Sequence, residues 1–231
     1  MSKKQGIMVI SLDFEMMWGV HDTKNNDYHS NIIAVHKIVP KLLELFDKYR
    51  ISCTWATVGA LFANNKQDLL SLMPQKKPNY DNPKLSSYMY MDKIEEESKL
   101  HFAPNLIEQI KKTPNQEIGS HTFSHYYCCE SGQTISDFEA DIEAYNEINK
   151  RECLHMESLV FPRNQYTDEY LKIIAKHGFS CFRGLEQNWI NRVKNKKIRR
   201  YLLFIDSYLG ISGDSTYHIN EIRAAGVGGD N

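Results

Sequence analysis

No stretch of the sequence approaches the roughly 20 consecutive apolar residues that cross a bilayer, so a transmembrane helix does not organise this chain. A secretory signal is missing too. The amino terminus, MSKKQGIMVISLDFE, passes from two lysines through a short apolar run into carboxylates, with no long apolar core and no small-residue cleavage site. Cysteine is scarce and unpatterned: Cys53, Cys128, Cys129, Cys153 and Cys181 are odd in number and lack CxxC spacing, which argues against a disulfide framework and a cysteine-ligated zinc site. The adjacent Cys128 and Cys129 read as two reduced thiols. Charge of either sign is not in excess: 28 Lys and Arg stand against 29 Asp and Glu, and a formal net charge of -1 implies no global attraction to nucleic acid or to an acidic membrane. These absences lead to the expectation of a cytoplasmic protein whose partner must be read from a site. Nothing in the sequence sets an oligomeric state.

What is present is an alternation of strand and helix patterns. Ile7 to Glu15 reads as a buried strand, Ile32 to Tyr49 as a helix with Ile33, Val39, Leu42, Leu43 and Phe46 near one face, and ISCTWATVG as a second strand followed by a helix over ALFANNKQDLLSLM. Pro40 lies inside the first helical pattern as a kink or a break. QEIGS, SLVFP and FSCFRG read as later strands, with an amphipathic helix over 134–151 and another in TDEYLKIIAKHG. Strand followed by helix, repeated, is the pattern of a parallel sheet. Between about 74 and 104 the rhythm breaks into a proline- and tyrosine-rich excursion, either a functional loop or a solvated insertion. There is no internal repeat and no break in composition, so one domain over 1–231 is expected. RVKNKKIRR, near the carboxyl end, reads as a solvated basic face.

The chemistry concentrates in QEIGSHTFSH and SLDFE. His121 and His125 are four positions apart, and on one helical turn or in a tight loop both imidazoles aim at a common point. In SLDFE, strand parity puts Asp13 and Glu15 on one face and Phe14 on the other. Two neighbouring acids at the end of a buried strand repel and lose solvation, so a cation is expected beside them. A divalent metal held by Glu15, His121 and His125 satisfies both motifs and leaves positions open for water and substrate. Asp13 then remains free as a general base.

SLDFE, ISCTWATVG, QEIGSHTFSH and SLVFPRNQ, in this order and spacing, resemble the polysaccharide deacetylases of the NodB-homology group, carbohydrate esterase family 4, over residues from about 6 to about 190. The resemblance implies a distorted (β/α) barrel with its site at the C-terminal ends of the strands. It also implies metal-dependent removal of acetyl from an N-acetylated sugar or oligosaccharide. The cofactor is a divalent ion, zinc first, with cobalt, nickel or iron as alternatives.

Several roles follow from the resemblance and several features depart from it. In this Asp-Phe-Glu variant Asp13 takes the base role and Glu15 the ligand role. In SLVFPRNQ the arginine follows the proline, and Arg163 is the candidate to hold Asp13 charged, with backbone N–H groups near Arg163 and Asn164 facing the oxyanion. Trp18 and Tyr126 are candidates to line the sugar site. The late histidine that protonates the leaving amine is not found in its usual setting; His218 is the stand-in, and the expectation is a chain that stops before the last strands. Alternatives are a hydrolase of small amides or cyclic imides, a non-catalytic carbohydrate-binding relative and, with little weight, an iron oxygenase.

Overall fold

The computed structural model describes residues 7–24, 26–184 and 188–213. Two compact units make up the chain, the first running to Arg183 and the second beginning at Gly184. In the first unit β1 (Ser11–Phe14) leads to α1 (His29–Tyr49), β2 (Cys53–Thr57), α2 (Lys66–Leu72), α3 (Ser87–Met91), α4 (Pro104–Lys112) and β3 (Gln116–Ser120). Then follow α5 (Ile135–Arg151), β4 (Ser158–Leu159), α6 (Asp168–Lys176) and β5 (Cys181–Phe182). The five strands lie in the order of the chain and every neighbouring pair is parallel.

This sheet is curled. Were it flat, β1 and β5 would stand about 19 Å apart, four strand spacings of about 4.8 Å. Yet Arg183, directly after β5, reaches Ser11 and Asp13 on β1 at 3.0 and 2.7 Å. The two outer strands therefore face each other at the sheet's C-terminal end, and the architecture is that of an incomplete (β/α) barrel, as the family resemblance implies.

Helix α5 shows why the helices stay on the sheet. Thr134 and Asp137 form a reciprocal capping box at its start. Phe138, Ile142, Tyr145 and Ile148 are fully buried along one face, each contributing about 1.5–3 kcal/mol. The Tyr145 hydroxyl bonds the carbonyls of Thr57 and Gly119 at 2.9 and 3.2 Å, fixing the helix against β2 and β3.

Other sequence expectations need correction. The first strand is shorter than 7–15, because Ile7, Met8 and Val9 are exposed and pairing in β1 begins at Ser11. Helix α1 is continuous through Pro40, and of its expected inward residues Ile33 is exposed while Ile32 is buried. The helix expected after β2 is broken, since Asn65 caps a new start by accepting the Asp68 N–H at 2.8 Å.

The excursion between 74 and 104 is packed. Tyr88, Met91, Ile94, His101 and Phe102 are buried within it. His101 holds it to the turn after β1: the carbonyl accepts the Trp18 indole N–H at 2.8 Å, and the ring nitrogens bond Ser98 and Tyr90. In the second unit Asn195 caps α7 (Lys196–Leu209), which ends at Gly210 in the left-handed region, φ 58°. All five cysteines are free thiols. Among the described residues no helix is long and apolar enough to cross a membrane.

Burial holds His101 far below the ordinary imidazole value of 6.5, at about 4, with His29 and His21 pushing the same way. Between those two values the unfolded chain binds a proton that the folded chain refuses, so stability falls as pH drops through this window, by about 3 kcal/mol in all. Above 6.5 the contribution is constant. Urea unfolding is expected to show a smaller loss between about pH 7 and about pH 4.5 for His101→Gln than for the wild type.

Candidate functional site

Glu15 leaves β1 at the first residue beyond the strand and precedes a turn over Met16–Gly19. Strand parity with Asp13 therefore does not place it; the turn does. Gly19 leaves room for its carboxylate, since a Cβ there would fall 2.0 Å from Glu15 Cδ. His121 follows β3, where its N–H continues the pairing with β2 by donating to the Thr57 carbonyl at 2.9 Å. His125 comes four residues later through a loop and not a helical turn, with Thr122 and His125 both left-handed at φ 61° and 59°.

The three side chains converge. Glu15 Oε2 lies 3.2 Å from His121 Nε2 and 2.9 Å from His125 Nε2. Ligand atoms around a tetrahedral ion with bonds of about 2.0–2.1 Å stand about 3.3 Å apart. The protonation pattern sharpens the fit. His121 Nδ1 is 2.8 Å from the Val160 carbonyl, which only accepts, so Nδ1 carries a proton, and in the neutral ring Nε2 is then the nitrogen with its lone pair toward the carboxylate. Two acceptors facing each other at 3.2 Å call for a cation between them. With one oxygen and two imidazole nitrogens, the donor set fits zinc and its neighbours in the transition series.

The electrostatics suit the same use. Burial pushes Glu15 upward, but His121 and His125 in their protonated forms, through hydrogen bonds and then charge, outweigh it and bring the carboxyl to about 2. Burial brings His125 to about 4 although Glu15 opposes the shift. Near neutral pH the site therefore offers a carboxylate and a neutral imidazole, the forms that ligate metals. His125 Nδ1 is buried without a partner among the described residues. A second group, Glu139, Glu143 and His177, also brings its ligand atoms together, but Lys176 already sits 2.6 Å from Glu139.

Asp13 is held by Arg183 and not by Arg163. The Arg183 guanidinium donates to both carboxylate oxygens, at 2.7 and 2.9 Å. Arg163 instead pairs with Asp22, lies 3.8 Å from Glu130 and covers the Tyr127 ring at 4.1 Å. Its backbone is left-handed, φ 54°, in the turn Pro162–Asn164, which carries the side chain away from the β1 end. Tyr127 stands edge-on to His125 with ring centres 5.2 Å apart, so Arg163 still borders the ligands through that ring.

Three further expectations are corrected by burial or by hydrogen bonding already in place. The Asn164 N–H donates to the Phe161 carbonyl at 2.8 Å and is not free for an oxyanion. Trp18 is fully buried with its indole N–H on His101, and Tyr126 is buried with its hydroxyl on Gln133 and Thr134, so neither ring presents a face to a sugar. His218 lies outside the described residues. The site opens where side chains reach solvent: Asp13 at 35%, Arg183 at 34% and Glu15 at 28%, against 1% and 3% for the histidines.

The sequence profile of the polysaccharide deacetylase family matches residues 9–182. No curated protein matches the chain. Among solved structures the chain is similar to the deacetylase PplD of Streptococcus pyogenes in complex with acetate, at 12% identity and a TM-score of 0.43, over 74% of this chain and 52% of that one. It is also similar to the BpsB deacetylase domain of Bordetella bronchiseptica, at 12% identity and a TM-score of 0.44, over 77% and 63%. A third is BA3943 of Bacillus anthracis, a pseudoenzyme of carbohydrate esterase family 4, at 12% identity and a TM-score of 0.39, over 85% and 50%. The chain spans from half to just under two thirds of the length of these three structures.

Metal analysis of purified protein is expected to find one tightly held divalent ion per chain, lost in Glu15→Ala, His121→Ala and His125→Ala and kept in His177→Ala. Gly19→Ala, which drives a methyl group into the Glu15 carboxylate, is expected to weaken binding without removing any ligand.

Proposed function

The chain belongs to the polysaccharide deacetylase family, and from that premise we propose that it is a metal-dependent hydrolase that removes acetyl from the nitrogen of N-acetylated sugars in a polysaccharide or its precursor. The observation that supports metal dependence is the convergence of Glu15, His121 and His125, whose ligand atoms lie within 4.8 Å of one another, with His121 Nδ1 committed to the Val160 carbonyl. Glu15, His121 and His125 would hold the ion. When bound, it would supply Lewis acidity toward the acetyl carbonyl and toward water.

The remaining work falls to side chains at the mouth. Asp13 is the general base: its carboxylate reaches solvent, and each oxygen keeps a lone pair beyond the one engaged by Arg183. Arg183 fixes the orientation of that carboxylate through a two-point contact, so a proton leaving water meets an acceptor already in place. Water oxygen bonds to the carbonyl carbon as its proton passes to Asp13, a proton is returned to the amide nitrogen as the carbon–nitrogen bond breaks, and acetate and a free sugar amine leave. Arg163 takes no part in holding the base; with Asp22 and Tyr127 it forms the wall beside His125.

Acetate release from chitin-type oligosaccharides by zinc-, cobalt- or nickel-loaded protein, compared with release from cyclic imides, tests the substrate class. Asp13→Asn is expected to lower kcat by about 100- to 10,000-fold with metal still bound, and full activity in that variant would remove Asp13 from the base role. Arg183→Met is expected to lower kcat more than it raises KM. Loaded wild-type protein that turns over no acetylated sugar would favour a non-catalytic binding role.

A further inference from the structure

Asp141 is the one fully buried acid in the described part of the chain, with 0% exposure, and no arginine, lysine or histidine pairs with it among the described residues. Its carboxylate is nevertheless crowded with donors. Oδ1 accepts the Phe123 N–H at 2.7 Å; Oδ2 accepts the Ser124 N–H at 3.2 Å, the Tyr88 hydroxyl at 2.7 Å and the Ser124 hydroxyl. Phe123 and Ser124 lie inside the loop that separates His121 from His125. The carboxylate comes from α5 and the tyrosine from α3, so two other elements meet on that loop.

The loop needs such a hold. Thr122, whose β-branched side chain disfavours the left-handed region, adopts φ 61°, and His125 adopts φ 59°. Opposite Asp141 the Thr122 and Phe123 carbonyls accept the N–H groups of Gly59 and Ala60, each at 3.0 Å. Gly59 permits this approach, since a Cβ there would fall 2.9 Å from Phe123 Cα. Thr122 Oγ1 accepts the Tyr126 N–H at 2.7 Å and closes the turn. Every one of these contacts but those to Asp141 involves neutral groups of the loop's immediate surroundings. Hydrogen bonds to a charged acceptor are about twice as strong as neutral ones, so the Asp141 carboxylate is the largest single restraint on the relative placement of the two imidazoles.

We propose that Asp141 is the positioning residue of the metal centre: by clamping Phe123 and Ser124 it holds His121 and His125 at ligand spacing and so sets the affinity for the ion. It touches neither substrate nor ligand atom and acts through the loop. The proposal rests on the metal-centre reading above, and a measurement on the wild type separates the two. Cobalt(II) titration of metal-free protein, followed by visible absorption and by equilibrium competition, gives an affinity and a ligand-field spectrum together. In Asp141→Asn the amide can still accept from Phe123, but its NH2 group faces the Ser124 and Tyr88 donors. The cobalt dissociation constant is expected to rise about 10- to 100-fold, with an altered absorption band. Tyr88→Phe and Ser124→Ala, which keep the carboxylate and each remove one donor, are expected to weaken cobalt binding about 3- to 10-fold, and they carry the test if Asp141→Asn does not fold. Wild-type affinity and an unchanged spectrum in these variants, with only thermal stability lowered, would reduce Asp141 to a structural residue. A wild-type chain that takes up no cobalt would sink both readings at once.

Discussion

The site depends on one contact between groups that repel unless something positive joins them. Glu15 and His121 are 106 residues apart in the chain, and the histidine's other nitrogen is already committed to a carbonyl that can only accept. An anionic oxygen and an imidazole lone pair at that spacing form a socket for a cation, and burial of both imidazoles removes the water that would otherwise screen them. Much of the nearby backbone serves this convergence. The missing side chain at Gly19 leaves space for the carboxylate, the missing side chain at Gly59 lets the turn after β2 press on the histidine loop, and the residue directly after β4 supplies the carbonyl of Val160.

Two acids two residues apart are given different tasks by their surroundings. Asp13, inside β1, looks across the mouth of the curled sheet and meets an arginine in a two-point grip. Glu15, already past the end of the strand, turns toward two imidazoles. Their separation comes from the end of β1 at Phe14, where the pairing stops and the chain tightens into a turn. A third acid, Asp141, is used in yet another way, as a buried acceptor for four donors. None of the three competes for the others' partners.

The convergence of Glu15, His121 and His125 was legible because it lies in short motifs whose residue types are chemically demanding: an acid at a strand end and two histidines four apart. The parallel sheet was legible from alternating periodicities, and α5 from its apolar stripe and cap. What escaped depended on distance through space. Arg183 follows a strand of two residues in an unremarkable segment, and only the curl of the sheet brings it to Asp13. Arg163 stood in the expected motif, but the left-handed turn after β4 redirects it to Asp22. Trp18 and Tyr126 carried the right rings for sugar stacking, yet composition does not reveal which aromatic is covered. The excursion between 74 and 104 read as either a functional loop or a solvated insertion because prolines and charges outnumber its apolar residues; buried ones, Tyr88, Met91 and Phe102 among them, suffice to dock it.

The grip of Arg183 on Asp13 joins the last strand of the sheet to the first, and this fixes an order of events during biosynthesis. As the nascent chain leaves the ribosome, β1 to β3 can pair and the histidine loop can form while the acid on β1 still has no arginine. The histidine loop has its clamp and its carbonyl partner once residues 141 and 160 have emerged, whereas Asp13 is oriented only after residue 183 has followed. A growing polypeptide of this kind brings Glu15, His121 and His125 together first, with the segment after the fifth strand as the latch that sets Asp13 last.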